Sequence, residues 1–122
     1  EFSADAGYQM MMELIEAGTL PSAVFAASDP IAIGAMRALY QKGYRIPEDI
    51  SVMGFDDINV AKFSNPPLTT VHAPADFMGQ FAAHYIQLLA ESNTKLSYNM
   101  PVRMTLPCEI TIRDTCGASS DL

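Results

Sequence analysis

The sequence predicts an α/β protein, a parallel sheet with helices on both faces, and three observations carry that prediction. Short apolar runs at 23–27 and 51–55 alternate with helical patterns, and a β-α-β-α order builds parallel sheets. Both runs end alike, the first in Ser28-Asp29 and the second in Asp56-Asp57, as strands do when they emerge at a polar edge. The pattern at 30–42 is apolar on two opposite sides, so that helix must be covered twice.

In chain order, Ser3 caps a helix that runs to about Ala17 and stops at Gly18. Asp5, Gln9, Glu13 and Glu16 make its polar stripe, and Tyr8, Met11, Met12 and Ile15 its apolar one. After the strand Ala23–Ala27, Ser28 or Asp29 caps the second helix, Pro30 suits its first turn and Gly43 ends it. Ala32, Ala35 and Leu39 are small enough to press on a sheet, while Ile33, Met36 and Tyr40 form the other stripe. Pro47-Glu48-Asp49 turns into the strand Ser51–Phe55, and Ser64-Asn65-Pro66-Pro67 breaks regular structure. Thr69 to Ala73 reads as a strand. A helix follows from about Asp76 to Glu91, with Phe77, Phe81, Tyr85, Leu88 and Leu89 on one face. Val102, Met104 and Leu106, then Cys108, Ile110 and Ile112, alternate with polar residues as two strands broken at Pro107. Residues 114–122 are small and polar and read as a loose tail.

At 122 residues and 49% hydrophobic, the chain can bury the core of one domain. Seven basic residues against 14 acidic give a net charge of −7, the wrong sign for gripping phosphates. Cys108 and Cys116 make no disulfide framework and offer no metal-ligand spacing with His72 or His84, so reduced thiols in a cytoplasmic protein are expected, with no metal and no cofactor. No apolar run reaches the roughly 18 residues of a membrane span. The opening at Glu1 reads as the middle of a fold, which makes a piece of a longer protein the expectation.

Ligands of open α/β sheets bind outside the carboxyl ends of the strands. Asp29, Asp56 and Asp57 should therefore gather at one mouth. Asp29 reads as a helix cap or a ligand contact, and Asp57 as a turn residue or a ligand contact. His72 and His84 read as solvated or structural. Three carboxylates at strand ends also suit Mg²⁺ and a phosphoryl-transfer or receiver-type domain. Such a site needs a cation at a neighbouring strand end, and the third strand ends in Ala73-Pro74 without a lysine.

Three ordered motifs carry a resemblance. Ala26-Ala27-Ser28-Asp29-Pro30-Ile31-Ala32-Ile33-Gly34-Ala35, the run from Arg45 through Pro47 and Asp49-Ile50-Ser51-Val52 to Gly54-Phe55-Asp56-Asp57, and Pro66-Pro67-Leu68-Thr69-Thr70-Val71 are similar to segments of the lac repressor/galactose repressor family of bacterial transcription regulators. The likeness extends from Glu1 to about Arg113. It implies the C-terminal part of a two-lobed, periplasmic-binding-protein-like (type I) effector domain. Residues 1–73 would be mainly the C-terminal lobe, 74–106 a segment of an absent N-terminal lobe, and 107–113 a return strand.

The resemblance also implies roles. Asp56 falls on the family's aspartate that accepts hydrogen bonds from ligand hydroxyls, and Phe2 on an aromatic that stacks on the sugar ring. Ser28 stands where many members have an asparagine, and Ala73 where some have a glutamine, two departures that weaken those contacts. Ile33, Met36 and Tyr40, with Phe63 in the segment after the paired aspartates, fall on the dimer interface. The implied function is the sugar-binding and dimerisation region of a non-enzymatic, cytoplasmic repressor, whose operator DNA is held by a headpiece outside this chain. The alternative on the same fold is a periplasmic sugar-binding protein of a transport system, which the apolar Ile33/Met36/Tyr40 stripe argues against.

Overall fold

The computed structural model describes residues 2–91 and 103–117. They form two compact units, Glu1–Ala73 with Glu109–Leu122, and Pro74–Cys108.

The first unit opens with α1, Ala4–Glu16, where Ser3 Oγ accepts the Ala6 N–H at 3.2 Å as the cap requires. Gly18, at φ 66°, closes the helix and lets Thr19 N–H return to the Leu14 carbonyl. Strand β1, Ala23–Phe25, is shorter than expected, although Ala26 N–H still reaches the Met53 carbonyl at 2.8 Å. Helix α2, Asp29–Gln41, starts on Pro30 in its first turn and stops before Gly43 at φ 83°.

The two helices cross where each offers a glycine to the other's backbone. Gly7 lies against the Ile31 carbonyl, and Gly34 against the Ala4 carbonyl and the Tyr8 N–H. A Cβ at either position would occupy the partner's backbone, so the crossing exists only because both residues lack one. Tyr8 Oη donates to Gln41 Oε1 at 2.8 Å across the far end. Ala32, Ala35 and Leu39 are buried as the small stripe predicts, in one core with Met11, Ile50, Val52 and Leu68. Met36 departs from expectation. It is buried in this same core, which Tyr44 and Ile46 of the following loop also join, and so does not stand out on a second face.

Strand β2, Ser51–Phe55, alternates as predicted, with Val52 and Gly54 buried. It is entered by a turn in which Asp49 takes the Arg45 backbone N–H at 2.8 Å and its guanidinium at 2.5 and 2.9 Å. The Arg45 hydrogen bonds hold the Asp49 carboxyl down at about 2. A 3-10 turn at Ala61–Phe63 and the Ser64 hydroxyl, 2.8 Å from the Ala61 carbonyl, lead to β3, Thr69–His72.

The sheet order is β1-β2-β3-β4, with β4 at Glu109–Thr111. The first three strands are parallel, and β4 pairs antiparallel to β3, Thr70 with Thr111 and His72 with Glu109, so the sheet is mixed. α2 packs on β2 from the side of Gly54. Register and alternation put Phe25, Met53, Phe55, Val71 and Ile110 on the opposite face, where Phe25 and Ile110 are each 62% exposed.

The expected loose tail is fastened at its start. Asp114 N–H bonds the Pro67 carbonyl, and buried Thr115 takes the Val52 N–H on its carbonyl and the Thr69 N–H on its hydroxyl, each at 2.8 Å. Residues 118–122 lie outside the described residues. In the second unit, α3 spans Ala75–Glu91 with no buried residue, and Phe77, Phe81 and Tyr85 stack along it at 6.4 and 6.3 Å. The strand expected from Val102 to Leu106 is not seen over 103–106, where the chain has no ladder partner; Val102 itself lies outside the described residues. No helix among the described residues is long and apolar enough to cross a membrane.

Candidate ligand-binding site

Parallel pairing delivers the carboxyl ends of β1, β2 and β3 to one edge, and with them Ser28, Asp56 and His72-Ala73. The carboxylates predicted to gather there take up three different tasks.

Asp29 is fully buried. Its Oδ2 accepts the Ile58 N–H at 2.8 Å and its Oδ1 the Thr70 hydroxyl at 2.5 Å. Gly54 makes room for it, since a Cβ there would collide with Oδ1. Asp29 thus does not hold the cap position, and both of its oxygens are taken by the protein itself. It fastens the start of α2 to β3 and to the loop after β2. Cap position belongs to Ser28, yet its hydroxyl makes no capping bond. Ser28 is only 7% exposed, and its Oγ has no hydrogen-bond partner among the described residues. A buried hydroxyl without a partner costs about 1–3 kcal/mol, which a ligand's polar atom would offset.

Asp57 is also occupied by protein. Its Oδ1 accepts from Arg113 at 2.6 Å, and its Oδ2 lies 3.1 Å from His72 Nδ1. Burial works to raise its pKa, but Arg113 and then His72 outweigh it, leaving the carboxyl below the ordinary aspartate value. His72, expected to be solvated or structural, is the exposed partner in that pair.

Of these three aspartates, Asp56 is the one whose carboxylate is exposed and has no hydrogen-bond or ionic partner among the described residues. Its backbone N–H is held by the Val71 carbonyl at 2.9 Å, and its φ is 101°, followed by 54° at Asp57. The second value is the left-handed region that aspartate tolerates, whereas 101° is glycine territory. Non-glycine residues held there cost roughly 1–3 kcal/mol and cluster at binding sites. The arrangement can offer one anionic oxygen pair to paired hydroxyls, with charge-assisted strength.

Phe2, 75% exposed, sits just before the α1 cap, on the helix end whose Ala4 carbonyl rests on Gly34 of α2. Ala73 is half-buried and brings no polar atom. Sequence reasoning passed over Thr70, Gly54 and Arg113. Thr70 lay inside a quoted motif, but Arg113 meets Asp57 across 56 residues of chain and carried no local signal.

Away from the mouth, Tyr40 is 81% and Phe63 75% exposed, and Lys62 Nζ lies 5.1 Å over the Phe63 ring. Ile33 is half-buried against the core. Of the four residues predicted for an interface, Tyr40 and Phe63 are thus exposed, Ile33 is half-buried and Met36 is buried.

Comparison with known proteins gives a consistent answer. A periplasmic binding protein-like domain model matches residues 1–116. The transcriptional repressor MelR of Bacillus subtilis is 37% identical over 120 residues, 98% of this chain and 33% of that protein. The ribose operon repressor of Escherichia coli K12 is 43% identical over 82 residues, 67% of this chain and 25% of that protein. Among solved structures, the lac repressor dimer bound to operator and the anti-inducer ONPF aligns with a TM-score of 0.84 at 33% identity, over 95% of this chain and 39% of that one. The regulator CelR with cellobiose gives 0.82 at 35%, over 94% and 34%. The chain therefore spans about a third or less of the curated relatives it matches.

Proposed function

The chain belongs to the periplasmic binding protein-like domain family as found in the lac repressor/galactose repressor regulators, and from that premise we propose that it is the effector-binding and dimerisation region of a cytoplasmic, non-enzymatic repressor. The observation that carries the reading is Asp56. It is an exposed carboxylate with no partner among the described residues, on a backbone of positive φ, beside Asp57 and Ile58, which are both tied down. The effector class is a sugar. Asp56 accepts two adjacent hydroxyls, Phe2 supplies a flat apolar face, and Ser28 Oγ gives one further polar contact, with Ala73 as inert wall. Identity to relatives named for ribose and solved with cellobiose supports that class.

The unit Glu1–Ala73 with Glu109–Leu122 is one lobe of that domain, and Pro74–Cys108 belongs to the other; the division of the chain at Ala73/Pro74 and Cys108/Glu109 supports this. Tyr40 and Phe63, flanked by Ile33, form the contact with a second subunit. Operator DNA is held outside this chain, in keeping with its net charge of −7.

The test is Asp56→Asn in the full-length protein, titrated with D-ribose, D-galactose, cellobiose and ONPG. Loss of charge-assisted bonds should weaken the tightest of these by about ten- to a hundredfold and leave operator affinity unchanged. Undiminished sugar binding would overturn the reading.

A further inference from the structure

We propose that Arg113 and Asp29, which touch no ligand, are positioning residues that hold the Asp56 carboxylate in its binding pose by gripping the two residues after it. The inference rests on the reading of Asp56 as the ligand carboxylate.

Asp56 is poorly held by its own bonds. Beyond the Val71 carbonyl on its N–H, nothing described fixes it, and its φ of 101° is followed by another positive value. A chain passing through two such residues has no regular structure to aim it. What fixes it lies downstream. The Asp57 carboxylate is taken at one oxygen by Arg113 and at the other by His72, and the Ile58 N–H is taken by Asp29. Three separate segments thus converge on positions 57 and 58.

Each grip is itself anchored. Arg113 Nη1 donates to the Leu68 carbonyl at 2.7 Å and its backbone N–H to Thr69 Oγ1 at 2.9 Å. One guanidinium therefore spans the Leu68 carbonyl, just before β3, and Asp57, which an ammonium cannot do with the same reach. Asp29 is held by Thr70 and seated over Gly54. Both partners of Asp57 also flank the chain's passages between its two units: His72 precedes Ala73, where the first unit ends, and Arg113 follows Glu109, where it resumes.

A bridge that only stabilises the fold would add its effect independently of Asp56; a positioning residue would not. The experiment is a double-mutant cycle in the full-length protein, read as the dissociation constant of the tightest-binding probe among D-ribose, D-galactose, cellobiose and ONPG, by calorimetry. Arg113→Met should weaken binding about tenfold, and Arg113→Lys should restore part of it. Asp56→Asn, costing ten- to a hundredfold alone, should cost about tenfold less, roughly one- to tenfold, in the Arg113→Met background. Asp57→Asn, isosteric and tolerant of the same backbone, carries the same cycle if Arg113→Met does not fold. Equal cost of Asp56→Asn in both backgrounds overturns the positioning role while leaving the proposed function intact. No cost in either background overturns the proposed function itself.

Discussion

Helices α2 and α3 look alike as sequences and differ as structures. Each opens on an aspartate in its first turn, carries an interior glycine and has a pronounced apolar face. Yet α2 buries seven residues and α3 none. In α2, Asp29 is a fully buried acceptor of two hydrogen bonds, and Gly34 admits another helix's backbone. In α3, Asp76 is exposed and Gly79 has nothing within 4 Å of where a Cβ would stand. Amphipathic spacing says that a helix has an apolar side; it does not say what lies against it.

Matched substitutions at these pairs sharpen the contrast. Asp29→Ala strands the Ile58 N–H and the Thr70 hydroxyl in a buried place and should cost about 2–4 kcal/mol in urea unfolding. Asp76→Ala should cost about 0.3–1 kcal/mol, the value of a carboxylate at an exposed helix start. If the two costs are equal, burial does not distinguish the helices. Next in size is Gly34→Ala, which should cost about 1–3 kcal/mol because α1 must move off α2.

Acid separates the units further. Asp57 has a folded pKa below its ordinary value of 3.8, so its contribution is fully present above that value and lost as pH falls through the folded one. Urea midpoints taken from about pH 6 down to about pH 2.5 should fall for the native chain. Arg113→Met should start lower and lose less, its curve converging on the native one in acid. A constant gap would show that Arg113 acts through packing instead of charge. The smallest effect is Gly79→Ala, which should raise the helix signal in circular dichroism and stabilise α3 by about 0.5–1 kcal/mol.

The same contrast explains what could be read from the sequence. Ser3, Pro30, Gly18 and Gly43 announce helix ends by local chemistry, and the alternation at Ser51–Phe55 announces β2, because each signal is complete within a few residues. The choice of Asp56 as the ligand carboxylate came from the resemblance; the structure places it exposed and without a partner among the described residues. Occupancy of the other two carboxylates was not legible, since Asp29 meets Thr70 across 41 residues and Asp57 meets Arg113 across 56. The burial of Met36 was not legible either: helical spacing put it on an outer stripe, but it lies in the core that Tyr44 and Ile46 of the following loop also join. The alternation through Met104 and Leu106 signals fitness for a sheet without supplying a neighbour to pair with.

The seam at Thr115 also orders events in time. A ribosome releases β1, α2, β2 and β3 before the residue whose carbonyl and hydroxyl complete the hydrogen bonding of Val52 and Thr69. Thr115 follows Thr69 by 46 positions of chain, with all of α3 between them. At roughly 5–20 residues per second, the nascent parallel strands wait several seconds with two backbone donors unmet. The first unit is thus completed by a segment synthesised after the whole of the second unit.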